Sequence, residues 1–244
     1  MKRVLIVGGA NGIGLSIAKV LTQRESTEKV YIVDKVPLED IYHEPKIEGF
    51  VFDVTSQDYS IYDKFTDIDG LMITAGFGRL ALFEDIDEKM IPLYFDVNVV
   101  AVIRIIKHFF GNLLSKEDFY CGVMSSIAGF MSSPFLSIYG ATKAALKIFI
   151  ESVNVELEKA GTSNRILNVS PGSIKGTSFN QGKTDLTLTE PLARQIVEQL
   201  EAKNDLFIPQ YEEVFKHVLE RYQKDFREEG RHSYDYKLNS GRVK

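Results

Sequence analysis

Near the start of the chain stands Val4-Leu5-Ile6-Val7-Gly8-Gly9-Ala10-Asn11-Gly12-Ile13-Gly14. Its first four residues form an unbroken apolar run, the pattern of a strand buried on both faces of a parallel sheet. The glycine-rich stretch then turns into Leu15 to Gln23, which is helix-compatible. Strand, glycine turn and helix in that order bring backbone amides and the positive end of a helix dipole to one point, where a pyrophosphate binds. Gly8, Asn11, Gly12, Ile13 and Gly14 are therefore candidate nucleotide-binding residues.

The next apolar run, Val30-Tyr31-Ile32-Val33, ends in Asp34, twenty residues beyond Gly14. An acid there accepts hydrogen bonds from an adenosine ribose; a turn or cap residue is the structural alternative. It also repels a 2′-phosphate, so the expected cofactor is NAD rather than NADP. Lys35, a cation beside it, keeps NADP(H) open as the alternative.

Strands and helices alternate beyond this point. Residues 35–49 read as a loop. Phe50-Val51-Phe52 reads as a strand ending in Asp53-Val54, and Asp53 suits two readings: a bond to an adenine amino group, or a cap on a helix from Ser56 to Phe65. Leu71-Met72-Ile73-Thr74 is a further strand running into Ala75-Gly76, a small-residue turn suited to a close ligand. Lys89 to Leu114 reads as one long helix with Asn98 in its middle, either an exposed or locally bonded amide or a polar group facing a site. Then follow a strand at Tyr120 to Met124, a helix at Tyr139 to Lys159 and a strand at Arg165 to Val169. Residues 177–189 read as a loop and candidate substrate lid. Glu190 to Ala202 reads as a helix, Leu206 to Ile208 as a short strand, Tyr211 to Glu229 as one charged amphipathic helix, and 230–244 as a mobile polar tail. The alternation calls for a single α/β domain over 1–244, a doubly wound parallel sheet of about seven strands with helices on both faces.

A second stretch carries reactive groups. Ser126 follows the strand at 120–124, Tyr139 lies thirteen residues later, and Lys143 four after that. On a helix, residues four apart share a face, so an ammonium sits near a phenol and favours its ionised form. A phenol tuned in this way passes protons to or from a substrate oxygen, which Ser126 can also bond. The other Tyr-x-x-x-Lys match, Tyr31 to Lys35, falls in a strand pattern that holds the two side chains roughly 13 Å apart, so it reads as structural. Phe130, Met131, Phe135 and Phe179 either touch a nonpolar substrate or pack inside.

Composition narrows the class. The net charge of −5 disfavours a nucleic-acid partner, and no stretch approaches membrane-spanning length. The apolar run after Met1-Lys2-Arg3 is too short for a signal peptide; a single cysteine, Cys121, excludes an internal disulfide and suits a reducing compartment, and its place in an apolar run suits core packing. The expectation is a cytoplasmic protein without a metal site.

Taken together, these motifs resemble the short-chain dehydrogenase/reductase family over residues 1 to about 176, and loosely beyond. The resemblance implies that Gly8, Gly12 and Gly14 are the family's spaced glycines, Asp34 its NAD-marking acid and Asp53, with Val54, its adenine-side position. It implies that Asn98, Ser126, Tyr139 and Lys143 form the catalytic tetrad. Tyr139 is then the general acid/base, Lys143 lowers its pKa and holds the nicotinamide ribose, Ser126 holds the substrate oxygen, and Asn98 supports a relay water. Pro171, Gly172 and Ile174 match the segment that holds the nicotinamide carboxamide, with Thr177 one residue later than usual. Ala75-Gly76 stand in a departure, Ile73-Thr74-Ala75-Gly76 for the family's Asn-Asn-Ala-Gly, and Val7 replaces a threonine. The implied activity is interconversion of a secondary alcohol and a ketone with NAD(H), a small-molecule substrate whose class stays open, against the alternatives of an NADP(H)-dependent reductase and a non-catalytic dinucleotide-binding regulator. Because the C-terminal end lacks the glycine-rich finish of four-subunit members, a homodimer through helices 89–114 and 139–159 is expected, with a homotetramer as the alternative.

Overall fold

Seven strands form one sheet: β1 (Arg3–Val7), β2 (Lys29–Asp34), β3 (Ile47–Val51), β4 (Gly70–Ile73), β5 (Tyr120–Met124), β6 (Ile166–Val169) and β7 (Leu206–Phe207). Their spatial order is β3-β2-β1-β4-β5-β6-β7 and every neighbouring pair is parallel. The computed structural model describes residues 1–177, 179, 183–241 and 243. Helix α1 (Gly12–Thr22) follows β1. Then come α2 (Met90–Phe95), α3 (Ala101–His108), α4 (Phe110–Leu114), α5 (Ser137–Lys159), α6 (Leu186–Glu201), α7 (Lys216–Lys224) and α8 (Phe226–Asn239).

The apolar run of β1 is divided between two cores. Val4 and Ile6 pack with Leu15, Ile17 and Leu21 of α1 and Ile196, Val197 and Leu200 of α6. Leu5 and Val7 pack with Ile105 of α3, Leu113 of α4 and Leu146, Ile150 and Leu157 of α5 on the other face. Each such side chain stabilises the fold by about 1.5–3 kcal/mol on burial, so a strand used on both faces contributes twice over. Cys121 lies in the second core, and burial pushes its thiol up to about 12.

The strand order reverses between β1 and β4, and the crevice at their carboxyl ends is where such sheets take ligands. Gly8 makes the approach possible: its φ is +87°, and a Cβ there would lie 2.4 Å from the Ala75 nitrogen. Gly14 is pressed as closely on the Gly8 carbonyl, at 2.4 Å from a built Cβ. The Thr74 hydroxyl donates to the Gly8 carbonyl at 2.8 Å and to that of Val7 at 3.2 Å, tying the turn to β4.

Five expectations are corrected. The helix foreseen over 89–114 is interrupted: a π-helical turn, Asp96–Val100, surrounds Asn98, and Phe109, with ψ 13°, separates α3 from α4. The helix foreseen over 56–65 shrinks to a 3₁₀ turn at Ser60–Lys64, because Asp53 folds back on Thr55 instead of capping a helix. The third strand begins earlier, at Ile47, where pairing with β2 outweighs the poor strand character of Glu48 and Gly49. Helix α6 starts at Leu186, since the Asp185 side chain caps it through the amides of Thr187 and Leu188. The long C-terminal helix is two, split where Asp225 caps α8, and 230–239 is ordered helix rather than a mobile tail. Residues 178 and 180–182 of the candidate lid lie outside the described residues. Tyr31 packs on Phe50 and Phe65, as its structural reading requires.

Candidate active site

A cleft of about 730 Å³ opens at the carboxyl ends of the strands. The nucleotide turn lines it through Gly8, Asn11, Gly12, Ile13 and Gly14, and Gly76 lines it from the end of β4. Ser126, Tyr139, Lys143, Pro171, Gly172, Ile174 and Thr177 complete its inner wall. Of the candidates, the fold brings these thirteen together.

Each side chain is placed by its element. β5 ends by carrying Ser126 into a short 3₁₀ turn, where its hydroxyl accepts the Ala128 amide at 3.1 Å. Tyr139 and Lys143 lie on the first turns of α5, with the ammonium 5.5 Å from the phenol ring centre. Lys143 donates to the Met124 carbonyl at 2.9 Å, which anchors it beside β5. Burial pushes Tyr139 up to about 12, opposed by a hydrogen bond with Ser126, and pushes Lys143 down to about 8. The phenol is thus raised rather than lowered, because loss of water around the buried ring outweighs the hydrogen bond with Ser126.

Asn98 is fully buried and stands behind the cleft. Its Oδ1 accepts the Phe77 amide at 2.9 Å, and its Nδ2 donates to the Phe77 carbonyl at 2.9 Å and to Thr142 Oγ1 at 3.2 Å. The side chain is engaged with protein and ties down the loop after β4. Ala75 likewise serves the frame, its amide bonded to Val7.

Asp34 sits beside the turn, its Oδ2 accepting the Ala10 amide at 3.0 Å and its Oδ1 the Val36 amide at 3.3 Å. Asp53 and Val54 are not brought into the cleft. The Asp53 carboxylate accepts the backbone amide and then the hydroxyl of Thr55, both at 2.8 Å, which hold it below the usual carboxylate range with help from Lys35. The Val54 carbonyl takes the Tyr59 hydroxyl at 2.6 Å.

The residues fit a dinucleotide. Around a Cβ built at Gly12 nothing comes closer than 3.8 Å, leaving an open cradle at the N-terminus of α1. The Asn11 side chain makes no cap bond there, so the first turn of the helix is not closed by its own N-cap.

Residues 2–186 match the family model described as short chain dehydrogenase. The chain belongs to the short-chain dehydrogenase family. As a short-chain dehydrogenase it is an oxidoreductase that works with a nicotinamide dinucleotide. It is 29% identical over 181 residues to the uncharacterized oxidoreductase YvrD of Bacillus subtilis, covering 70% of this chain and 68% of that one. It is 25% identical over 195 residues to an uncharacterized oxidoreductase of Staphylococcus epidermidis, covering 75% of this chain and 84% of the relative. Among solved structures, a short-chain dehydrogenase from Streptomyces avermitilis shares the fold at a TM-score of 0.78 and 19% identity, covering 97% and 100% of the two chains. One from Burkholderia cenocepacia, in complex with NADP, does so at 0.72 and 20%, covering 91% and 98%.

Sequence reasoning missed part of this dehydrogenase's site. The Thr184 hydroxyl accepts the Gly12 amide at 3.0 Å, bringing the segment before α6 onto the nucleotide turn. Arg221, Glu229, His232 and Tyr236 of the C-terminal helices also line the cleft. A signal existed for α8: Asp225 followed three residues later by Glu228 is the mark of a new helix start. Phe179 lies against the Tyr139 ring at 5.1 Å, whereas Phe135 packs on Tyr234 at 4.5 Å.

Proposed function

We propose that the protein interconverts a secondary alcohol and a ketone with NAD(H), using Tyr139 as the general acid/base. The observation that carries this reading is the convergence of Ser126, Tyr139 and Lys143 on one cleft wall that is continuous with the Gly8–Gly14 turn. When bound, the dinucleotide supplies or takes the hydride. Tyr139 holds its proton at neutral pH, since burial pushes the phenol up to about 12, and gives it to the carbonyl oxygen during reduction. Ser126 bonds the same oxygen and stabilises charge developing on it. Lys143, with its pKa near 8, is mostly cationic at neutral pH and bonds ribose hydroxyls beside the phenol. Asn98 holds Phe77, and through it the loop after β4, in position.

The acid at Asp34 supports NAD, because a 2′-phosphate there meets a carboxylate and the turn from Gly8 to Gly14 carries no cation. Lys35 directs its charge at Asp53, which lessens its use as a phosphate partner. The second reading, NADP(H), draws on the NADP held by the Burkholderia cenocepacia protein and on ElxO with NADP bound, which is 20% identical with a TM-score of 0.68. Calorimetric titration with NADH and NADPH separates the two: NADH binds tighter, and Asp34→Ala loosens NADH while relieving the exclusion of NADPH. Tighter NADPH in the wild type overturns the NAD reading.

Tyr139→Phe tests the chemistry. It is expected to lower turnover by roughly 10²–10⁴-fold while NADH binding stays. Turnover near the wild-type rate removes Tyr139 from its role. Dinucleotide binding with no turnover of any alcohol or ketone by the wild type leaves the regulator instead. The single buried thiol of Cys121 supports a reducing compartment, and we assign the protein to the cytoplasm.

A further inference from the structure

The cleft that holds Tyr139 also reaches the C-terminal helices, which lie beyond the family match ending at residue 186. There Glu229 of α8 lines the cleft at 7% exposure. Arg221 of α7 grips it from two sides, Nε to Oε2 at 2.7 Å and Nη2 to Oε1 at 3.4 Å. Among the described residues, no other side chain bonds this carboxylate. His232 and Ser233 line the cleft one turn further along α8.

The pair is held in place at both ends. A Cβ built on Gly172 would lie 2.5 Å from the Phe215 ring, so the segment entering α7 is seated on the inner wall. At the other end Lys237 donates to Ser133 Oγ at 2.6 Å and to the Pro134 carbonyl at 2.8 Å, fastening α8 to the loop after Ser126.

Much of the remaining lining is apolar: Met131, Leu136, Phe179, Phe215 and Val218. A substrate body lying on these residues expels water from the cleft and from the free lone pairs of Glu229. A carboxylate has about four acceptor sites, so Arg221 leaves some unfilled. A methyl group against Glu229 leaves a buried charge short of partners, and a carboxylate adds a like charge. An ammonium is opposed by Arg221, whose charge already balances Glu229. A hydroxyl donates to Glu229 and accepts from Arg221, His232 or Ser233, so it satisfies both members of the pair.

We propose that Glu229, oriented by Arg221, determines specificity, and that the substrate is a ketone or secondary alcohol with an apolar body and a hydroxyl-bearing far end. This rests on the alcohol–ketone reading above. The test uses straight-chain methyl ketones of graded length ending in methyl, hydroxyl or carboxylate. They are assayed for turnover with NADH and NADPH, and titrated by calorimetry into protein saturated with NAD⁺ or NADP⁺. Hydroxyl-ended ketones of the best length should be preferred over methyl-ended ones by about tenfold or more in kcat/KM and in Kd, with carboxylate-ended ones weakest. Glu229→Gln should bring the hydroxyl-to-methyl ratio close to one and lessen the carboxylate penalty. Arg221→Gln, at the half-exposed member, should lower the same ratio. Turnover or binding that ignores the end group, or a ratio unchanged in both variants, overturns the proposal while the alcohol–ketone reading stands. Binding that prefers the hydroxyl without any turnover overturns that reading and keeps the site.

Discussion

Tyr139 and Lys143 shift in opposite directions for one reason, the removal of water from both. The lysine has a consequence for stability. Its pKa falls from 10.5 to about 8, so between these values the unfolded chain binds a proton that the folded chain does not. Stability from this residue therefore rises as the pH climbs through that window. Thermal melts of wild type and Lys143→Met across it should show the rise in the wild type and a flatter profile in the variant. Equal profiles would mean that Lys143 is not desolvated. Gly8 fails differently. Gly8→Ala forces a Cβ to within 2.4 Å of the Ala75 nitrogen at a φ of +87° and should cost about 1–3 kcal/mol, read as a drop in Tm. At this scale the gathering of the turn, Ser126, Tyr139 and Lys143 on one cleft is legible, because each stands at a strand end or at helical spacing from its neighbour. Thr184 was not, because it meets Gly12 across most of the chain and carries no local pattern.

Among the elements, the π turn at Asp96–Val100 has the clearest local task. It faces Asn98 inward, and the amide side chain satisfies both backbone groups of Phe77. Asn98→Ala leaves those groups unpaired beside the cleft, at a cost of about 1–3 kcal/mol. The variant should bind NADH much as before and lose kcat, measured by titration and turnover on the same preparation. Loss of NADH binding with kcat retained would contradict the positioning role. Periodicity reveals helices but not their interruptions, because apolar residues continue on both sides of the π turn and the one-residue shift it inserts leaves no mark in composition. For the same reason α7 and α8 read as one element until the Asp225 cap is noticed. β3 was misjudged because an edge strand borrows its conformation from the strand it pairs with.

The whole sheet was legible because apolar runs on alternate elements leave a parallel doubly wound arrangement as the solution, and the glycine turn marks its first strand. What the molecule does with its outer surface is a separate matter. Ile148 and Val155, two turns apart on α5, are more than half exposed, and Leu93 of α2 and Val100 of the π turn are exposed as well. We propose that a second copy covers these helices. Light scattering should give a dimer for the wild type and a monomer for Ile148→Glu with Val155→Glu; a monomeric wild type removes the proposal. The path of the chain through the cleft carries one more consequence. Gly12 is bonded to Thr184, and the loop at Ser133 is fastened by Lys237. A ribosome that has released only the first half of this protein has therefore made the strand and helix of the nucleotide turn without the walls that enclose its ligand. The cleft is finished only when α7 and α8 emerge, so a chain cut short before them carries a nucleotide turn and an open, unwalled site.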